Sequence, residues 1–185
     1  LEIHIFEPNK ENFEIINSKF LIHSKVHIKN LSVSDRTGEE ILYSDKLGSS
    51  LASLSRRKLD HFGIKFDVEE PVRSTKFEDY WRDELLGRKI DLVKIDIEGH
   101  EFSALSGFGE SLSQIKILQF EFGGCNIDSR TFFQDFFYFF KENNFALRRI
   151  TPYGLMSVDK YSEFDERFIT TNYFAINRSN SHHVL

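Results

Sequence analysis

Strand-like runs alternate with helix-like runs along most of this chain, and that alternation constrains the fold more than any other feature. Leu1, Ile3 and Ile5 alternate with polar residues, and Phe6 leads into Glu7-Pro8. Asn9 is a good N-cap for a helix whose Phe13, Ile16 and Phe20 share one face. Val26 to Ser34 reads as a second strand, with an apolar phase that slips at Asn30, as at a bulge or an early end. Arg36-Thr-Gly-Glu39 reads as a turn, and Ile41 to Tyr43 as a short antiparallel return. Residues 44–74 are the least regular part, Ser-rich and then charged; a loop of that length is usually functional or mobile. Thr75-Lys-Phe-Glu78 has capping-box spacing, with Phe77, Trp81 and Leu85 following at helical intervals. Ile90 to Ile97 is a third main strand, His100 to Phe108 a helix, and Ile115 to Phe122 a fourth strand ending at Gly123-Gly124. Asp128 is placed to cap a Phe-rich helix running to Glu142. Phe145 to Ile150 and Phe168 to Ile176 close the pattern as two strands joined through Pro-Tyr-Gly.

Strands alternating with helices of this length predict an α/β fold with a mostly parallel sheet covered on both faces. Two final strands without a helix between them predict an antiparallel edge. The 185 residues fit a single domain, here 1–178, followed by a polar tail, 179–185. No stretch approaches the ~18 uninterrupted apolar residues that span a bilayer. A net charge of −5 argues against a nucleic-acid partner, which needs a basic surface. The single cysteine, Cys125, excludes an intrachain disulfide and suits a reducing, cytoplasmic compartment.

In such sheets ligands bind beyond the carboxyl ends of the strands, so strand-end residues are the ones to inspect. Three strand ends are acidic. Glu7 follows the first strand, where a carboxylate can accept both hydroxyls of a ribose, or can simply favour the helix start beside it. The densest run is Ile90-Asp-Leu-Val-Lys-Ile-Asp-Ile-Glu-Gly-His-Glu101. Period-2 alternation puts Lys94, Asp96 and Glu98 on one face, a costly burial unless they pair or bind something. An internal Lys94–Asp96 or Lys94–Glu98 pair is the bland alternative to a site. Glu121, in an otherwise apolar strand, either belongs to the site or pairs with Lys94. Ser34-Asp35 can hydrogen-bond an adenine edge or ribose, and Asp35 can equally form the following turn. The seven histidines show no metal-ligand spacing such as HxH or HExxH, and no metal site is expected. Six phenylalanines between Phe132 and Phe140 are too many for one helix face; part of helix 129–142 is left for a partner chain, such as a second copy in a homo-oligomer.

The segment from Ile90 to Glu101 resembles the signature of the FkbM family of S-adenosylmethionine-dependent methyltransferases. Phe6-Glu-Pro-Asn9, Asn30 to Asp35, Ser74 to Trp81, Ala104-Leu-Ser-Gly107 and the Glu121 strand resemble the family's other segments in the same order, so the likeness extends to about residue 177. The resemblance implies a Rossmann-like class I methyltransferase sheet with a reversed last strand, S-adenosyl-L-methionine as cofactor, and O-methylation of a sugar, glycan or other hydroxyl-bearing small molecule. By that likeness Glu7 and Pro8 form the ribose-binding strand end, Ser34 and Asp35 lie by the adenine, and Asp96 lies near the reacting methyl. Glu98, His100 and Glu121 line the acceptor side as catalytic candidates. The family also has a first strand and a glycine-rich loop before the Glu7 strand. The expectation is therefore that these lie upstream of Leu1, or that the chain is a fragment with half a cofactor pocket.

Two rival readings stand beside this one. Asp96, Glu98 and Glu121 would suit an oxygen-rich magnesium site in a metal-dependent enzyme. A non-catalytic remnant or assembly module would use the Phe-rich helix against a partner. Specificity for the acceptor is expected in residues 44–74 and around Tyr153.

Overall fold

Three separate sheets, not one, organise the chain. A computed structural model describes residues 1–180, so 181–185 of the expected tail lie outside the described residues. The first sheet pairs β1 (Ile3–Phe6) with β2 (Val26–Lys29) in parallel, with α1 (Lys10–Phe20) as the crossover. Asn9 caps α1 as expected, its Oδ1 accepting the Asn12 N–H at 3.0 Å. No residue of α1 is buried, and no residue of β1 or β2 is fully buried.

The strand expected over 26–34 ends at Asn30. Its side-chain amide donates to the carbonyls of Glu7 and Pro8, both at 2.9 Å, tying the ends of β1 and β2 together. The chain then enters a second sheet, ordered β3 (Ser32–Val33), β5 (Val68–Thr75), β4 (Gly38–Ser44). β4 is antiparallel, as expected of the 41–43 return, but its partner is β5. β5 lies inside the segment read as irregular. Its Pro71 breaks the strand pattern, yet β3 pairs only with Ser74 and Thr75, so the β3-side edge at Pro71 needs no N–H donor.

The third sheet runs β6 (Ile90–Ile95), β7 (Ile115–Phe122), β10 (Thr171–Asn177), β8 (Phe145–Thr151), β9 (Gly154–Val158). β6 and β7 are parallel, and β10 is antiparallel to both β7 and β8. Among the described residues three of the seven ladders are parallel, so the expected mostly parallel sheet is corrected to a mixed one. The difference comes from two hairpin-like pairings, β4–β5 and β8–β9, whose second members the sequence pattern hid. β9 forms the edge, and β10 sits inside the sheet.

Two helix starts also differ from expectation. α2 (Phe77–Asp83) has no capping box: Thr75 belongs to β5, and the Glu78 carboxylate instead accepts the Glu110 N–H at 2.7 Å. Asp128 lies within a short helix, α4 (Cys125–Ser129), which Arg130 ends in the left-handed region at φ 59°. The Phe-rich helix, α5, is therefore Phe133–Glu142, with the Asp135 carboxylate accepting the Phe132 N–H at 2.8 Å. Phe133, Phe136, Phe137 and Phe140 are buried against β7, β10 and β8, so most of the stripe is core. Phe120 of β7 stacks on Phe136, Phe140 and Tyr173, with centroids 4.9, 5.1 and 5.4 Å away. Phe132 and Tyr138 stay exposed. No helix among the described residues is long and apolar enough to cross a membrane.

Candidate active site

The signature run folds as β6, a turn, and then α3 (Glu101–Ser106). Asp96 follows the last residue of β6, and Glu121 lies one residue before the end of the neighbouring parallel strand β7. The turn between them is tight. Glu98 has φ 56° and Gly99 φ 97°. A Cβ on Gly99 would lie 2.8 Å from the Cys125 carbonyl oxygen, so the backbone of α4 can approach only because position 99 is glycine.

Glu101 holds this turn. Its side chain is fully buried, and Oε1 accepts the N–H groups of Ile97 and Gly99, both at 3.1 Å. Oε2 is buried without a hydrogen-bond partner. Burial pushes its carboxyl up to about 7, against the pull of those two N–H donors. The orphan oxygen and the raised pKa agree on a carboxyl that is protonated through much of the acid range. Sequence reasoning treated Glu101 as a helix opener and missed this positioning role.

Lys94 and Asp96 form an ion pair at 2.9 Å, with side chains 56% and 42% exposed. This is the internal pair anticipated as the bland alternative, and it lies in water. It does not preclude a site, because exposed pairs of this kind exchange at little cost. Lys94 pairs with Asp96 and not with Glu121.

Glu98 is tied down more firmly. Arg57 Nη1 donates to Glu98 Oε2 at 2.6 Å, and Arg57 Nε lies 3.7 Å from Asp128 Oδ2. Ser53 Oγ donates to the Glu98 carbonyl at 2.8 Å. The irregular segment thus folds over the strand ends and supplies the cation that the sequence pattern gave no reason to single out. Burial raises the pKa of Glu98, and Arg57 opposes that rise. Glu121 is raised first by burial and then by the charges of Asp96 and Glu98. The three acids therefore feel one another across the two strand ends. They do not form a group of three metal donors; among the described residues that arrangement occurs at Glu2, His4 and His27.

His100 turns away from these acids towards the end of β3. Its Nε2 lies 3.1 Å from Ser34 Oγ, which also donates to Asp35 Oδ1 at 3.1 Å and Glu40 Oε1 at 3.2 Å. Burial lowers the pKa of His100, favouring the neutral ring. The structure thus joins His100 with Ser34 and Asp35, which the resemblance assigned to opposite ends of the site. Gly107, at the C-terminal end of α3, approaches the same strand end: a Cβ there would lie 2.1 Å from the Ser34 carbonyl oxygen.

Glu7 stands at the carboxyl end of β1, with Oε1 accepting the Asn9 N–H at 2.9 Å. Burial raises its pKa, as does the nearby Glu70 to a lesser degree. Asn9 is buried and donates to Glu70 Oε2 at 2.7 Å, fixing this corner against β5. Pro8 is held through its carbonyl by Asn30. Glu7 makes no direct contact with Asp96, Glu98 or Glu121.

Acids at the carboxyl ends of adjacent parallel strands, a glycine turn carrying two of them, and a carboxylate at the end of a βαβ strand are placed where α/β folds bind ligands. The Methyltransferase FkbM domain family matches residues 2–147, and the chain belongs to that family. No curated protein and no solved structure was found to match it.

Proposed function

We propose that this chain is an S-adenosylmethionine-dependent methyltransferase acting on a hydroxyl oxygen of a sugar or other hydroxyl-bearing metabolite, in a reducing, cytoplasmic compartment. The observation that carries this reading is the placing of Asp96, Glu98 and Glu121 at the carboxyl ends of the adjacent parallel strands β6 and β7. The cofactor, when bound, supplies the electrophilic methyl group. The chain's own residues must align the acceptor oxygen and take its proton.

Glu7 would hold the cofactor ribose: it is a half-buried, acceptor-only group with one oxygen already oriented by Asn9. Ser34 and Asp35 would lie by the adenine, and Asp96 by the reacting methyl. Among Glu98, His100 and Glu121, Glu121 is the best proton acceptor. Its raised pKa strengthens it as a base, whereas Glu98 is neutralised by Arg57 and His100 faces Ser34. Residues 1–178 would act as one domain. β1 and β6 each end a sheet with an unpaired edge. A parallel strand between them would make a single Rossmann-like sheet, and the first strand and glycine-rich loop implied by the resemblance would belong there.

Calorimetric titration with S-adenosylmethionine tests the reading, on this chain and on one carrying such a strand. Binding that falls in Glu7→Ala, by about 1–3 kcal/mol, supports it. No heat with either chain favours a non-catalytic module. Heat with magnesium alone favours the metal-dependent reading.

A further inference from the structure

The one constellation that the methyl-transfer reading leaves unused lies on the other end of the first sheet. Glu2 stands just before β1, two residues from His4, and the two side chains meet on one side of the strand. The register of the parallel ladder sets His4 directly beside His27 of β2. Three donor atoms converge as a result. Glu2 Oε1 lies 3.3 Å from His4 Nε2 and 3.1 Å from His27 Nε2, and the three side chains' ligand atoms all lie within 4.8 Å of one another.

We infer that Glu2, His4 and His27 form a binding site for a borderline divalent transition metal such as Zn2+, clasping β1 to β2 with the fourth position open to solvent. Four-coordinate Zn2+ with bonds of about 2.0–2.1 Å separates its ligand atoms by about 3.3 Å, which is the spacing already present between the carboxylate and each imidazole. Two imidazoles and one carboxylate suit Zn2+, Co2+ or Ni2+ and not the all-oxygen preference of Mg2+ or Ca2+. The two rings stack at 4.6 Å with planes 17° apart, and metal capture tilts them towards a common centre.

Supporting contacts orient two of the ligands. Tyr80 Oη lies 2.8 Å from His4 Nδ1. With the proton on Nδ1, the His4 Nε2 lone pair faces the metal position. Arg88 Nη1 donates to Glu2 Oε2 at 2.9 Å and Nη2 to Oε1 at 3.4 Å, which fixes the carboxylate beside the two imidazoles. The sequence hid this site because its histidines stand on different strands and make neither an HxH nor an HExxH motif.

The test uses the metal alone, with no methyl donor present. Co2+ titrated into the chain should give the intense visible band of a tetrahedral site, displaced by Zn2+, and Zn2+ should raise the thermal midpoint. His27→Ala and Glu2→Gln should each abolish the band, while Trp81 fluorescence reports that the fold is kept. Tyr80→Phe should weaken Co2+ binding about tenfold while keeping the band. The tail pair His182-His183 is a competing chelator, so the same titration is run on a chain with both changed to Ala, where the band must persist. Absence of the band, its survival in His27→Ala, or its loss with the tail histidines would each overturn the site. None of these outcomes depends on whether the chain transfers methyl groups.

Discussion

Arg57 and Glu98 are 41 residues apart in sequence and 2.6 Å apart in space, and their contact is what fastens the irregular segment to the strand ends. Arg57 is only 11% exposed and faces Asp128 as well. One guanidinium therefore neutralises two half-buried carboxylates. Removing it would leave both without a counter-charge. Arg57→Met should destabilise the chain by about 1–3 kcal/mol in urea unfolding. In a double-mutant cycle with Glu98→Gln the second substitution should recover part of the loss. Additive effects would show that the pair carries no coupling.

Glu101 predicts a pH dependence with a definite sign. Its folded pKa, about 7, lies above the ordinary 4.5, so the folded state binds the extra proton. Its contribution is fully present below pH 4.5 and is lost as pH rises through about 7. Glu101→Gln keeps the shape and removes the titration. Unfolding free energy measured from pH 5 to pH 8 should fall by up to roughly 3 kcal/mol more in the parent chain than in Glu101→Gln. Parallel profiles would place the titration elsewhere.

Gly107 tests the contact between α3 and the end of β3. Its backbone conformation is open to any residue, so the objection to a side chain there is steric alone: the Ser34 carbonyl is backbone and cannot swing aside. Gly107→Ala should therefore destabilise by several kcal/mol, against the gain of a few tenths to about 1 kcal/mol expected where alanine fits. A thermal midpoint equal to or above that of the parent would refute the close approach.

Asp96→Asn separates the chemical from the structural role of the acid cluster. The Lys94 pair it weakens is exposed, so the stability change should stay under about 1 kcal/mol. Methyl transfer should be lost. Turnover near the parent rate with a matched acceptor would leave Asp96 as nothing more than a partner for Lys94.

What could be read from the sequence follows a physical division. Asn9, β7 and the β6 turn were legible because each is local: a cap three residues from its donor, a strand with five apolar residues in eight, acids followed by glycine. The sequence hid β5 because Glu69-Glu70-Pro71 carries no strand pattern, and its pairing with β4 closes over a long intervening loop. The start of α5 was misplaced because Arg130, without any glycine to mark it, adopts the left-handed region. Arg57 and the His4–His27 pair could not be found by spacing. The fold, not the chain order, makes them neighbours.

The packing of the first thirty residues has a kinetic consequence. α1 buries no side chain, and β1 and β2 bury none completely, whereas β7 and α5 are interior along their inner faces. Burial sets the free energy of local opening, so the amide protons of the β1–α1–β2 unit should exchange with solvent through partial openings, well before the five-stranded sheet comes apart. Glu7 sits on that loosely held unit, while Asp96 and Glu121 sit on the slow one. Any ligand that touches both would bind by bringing together parts of the molecule that breathe at different rates.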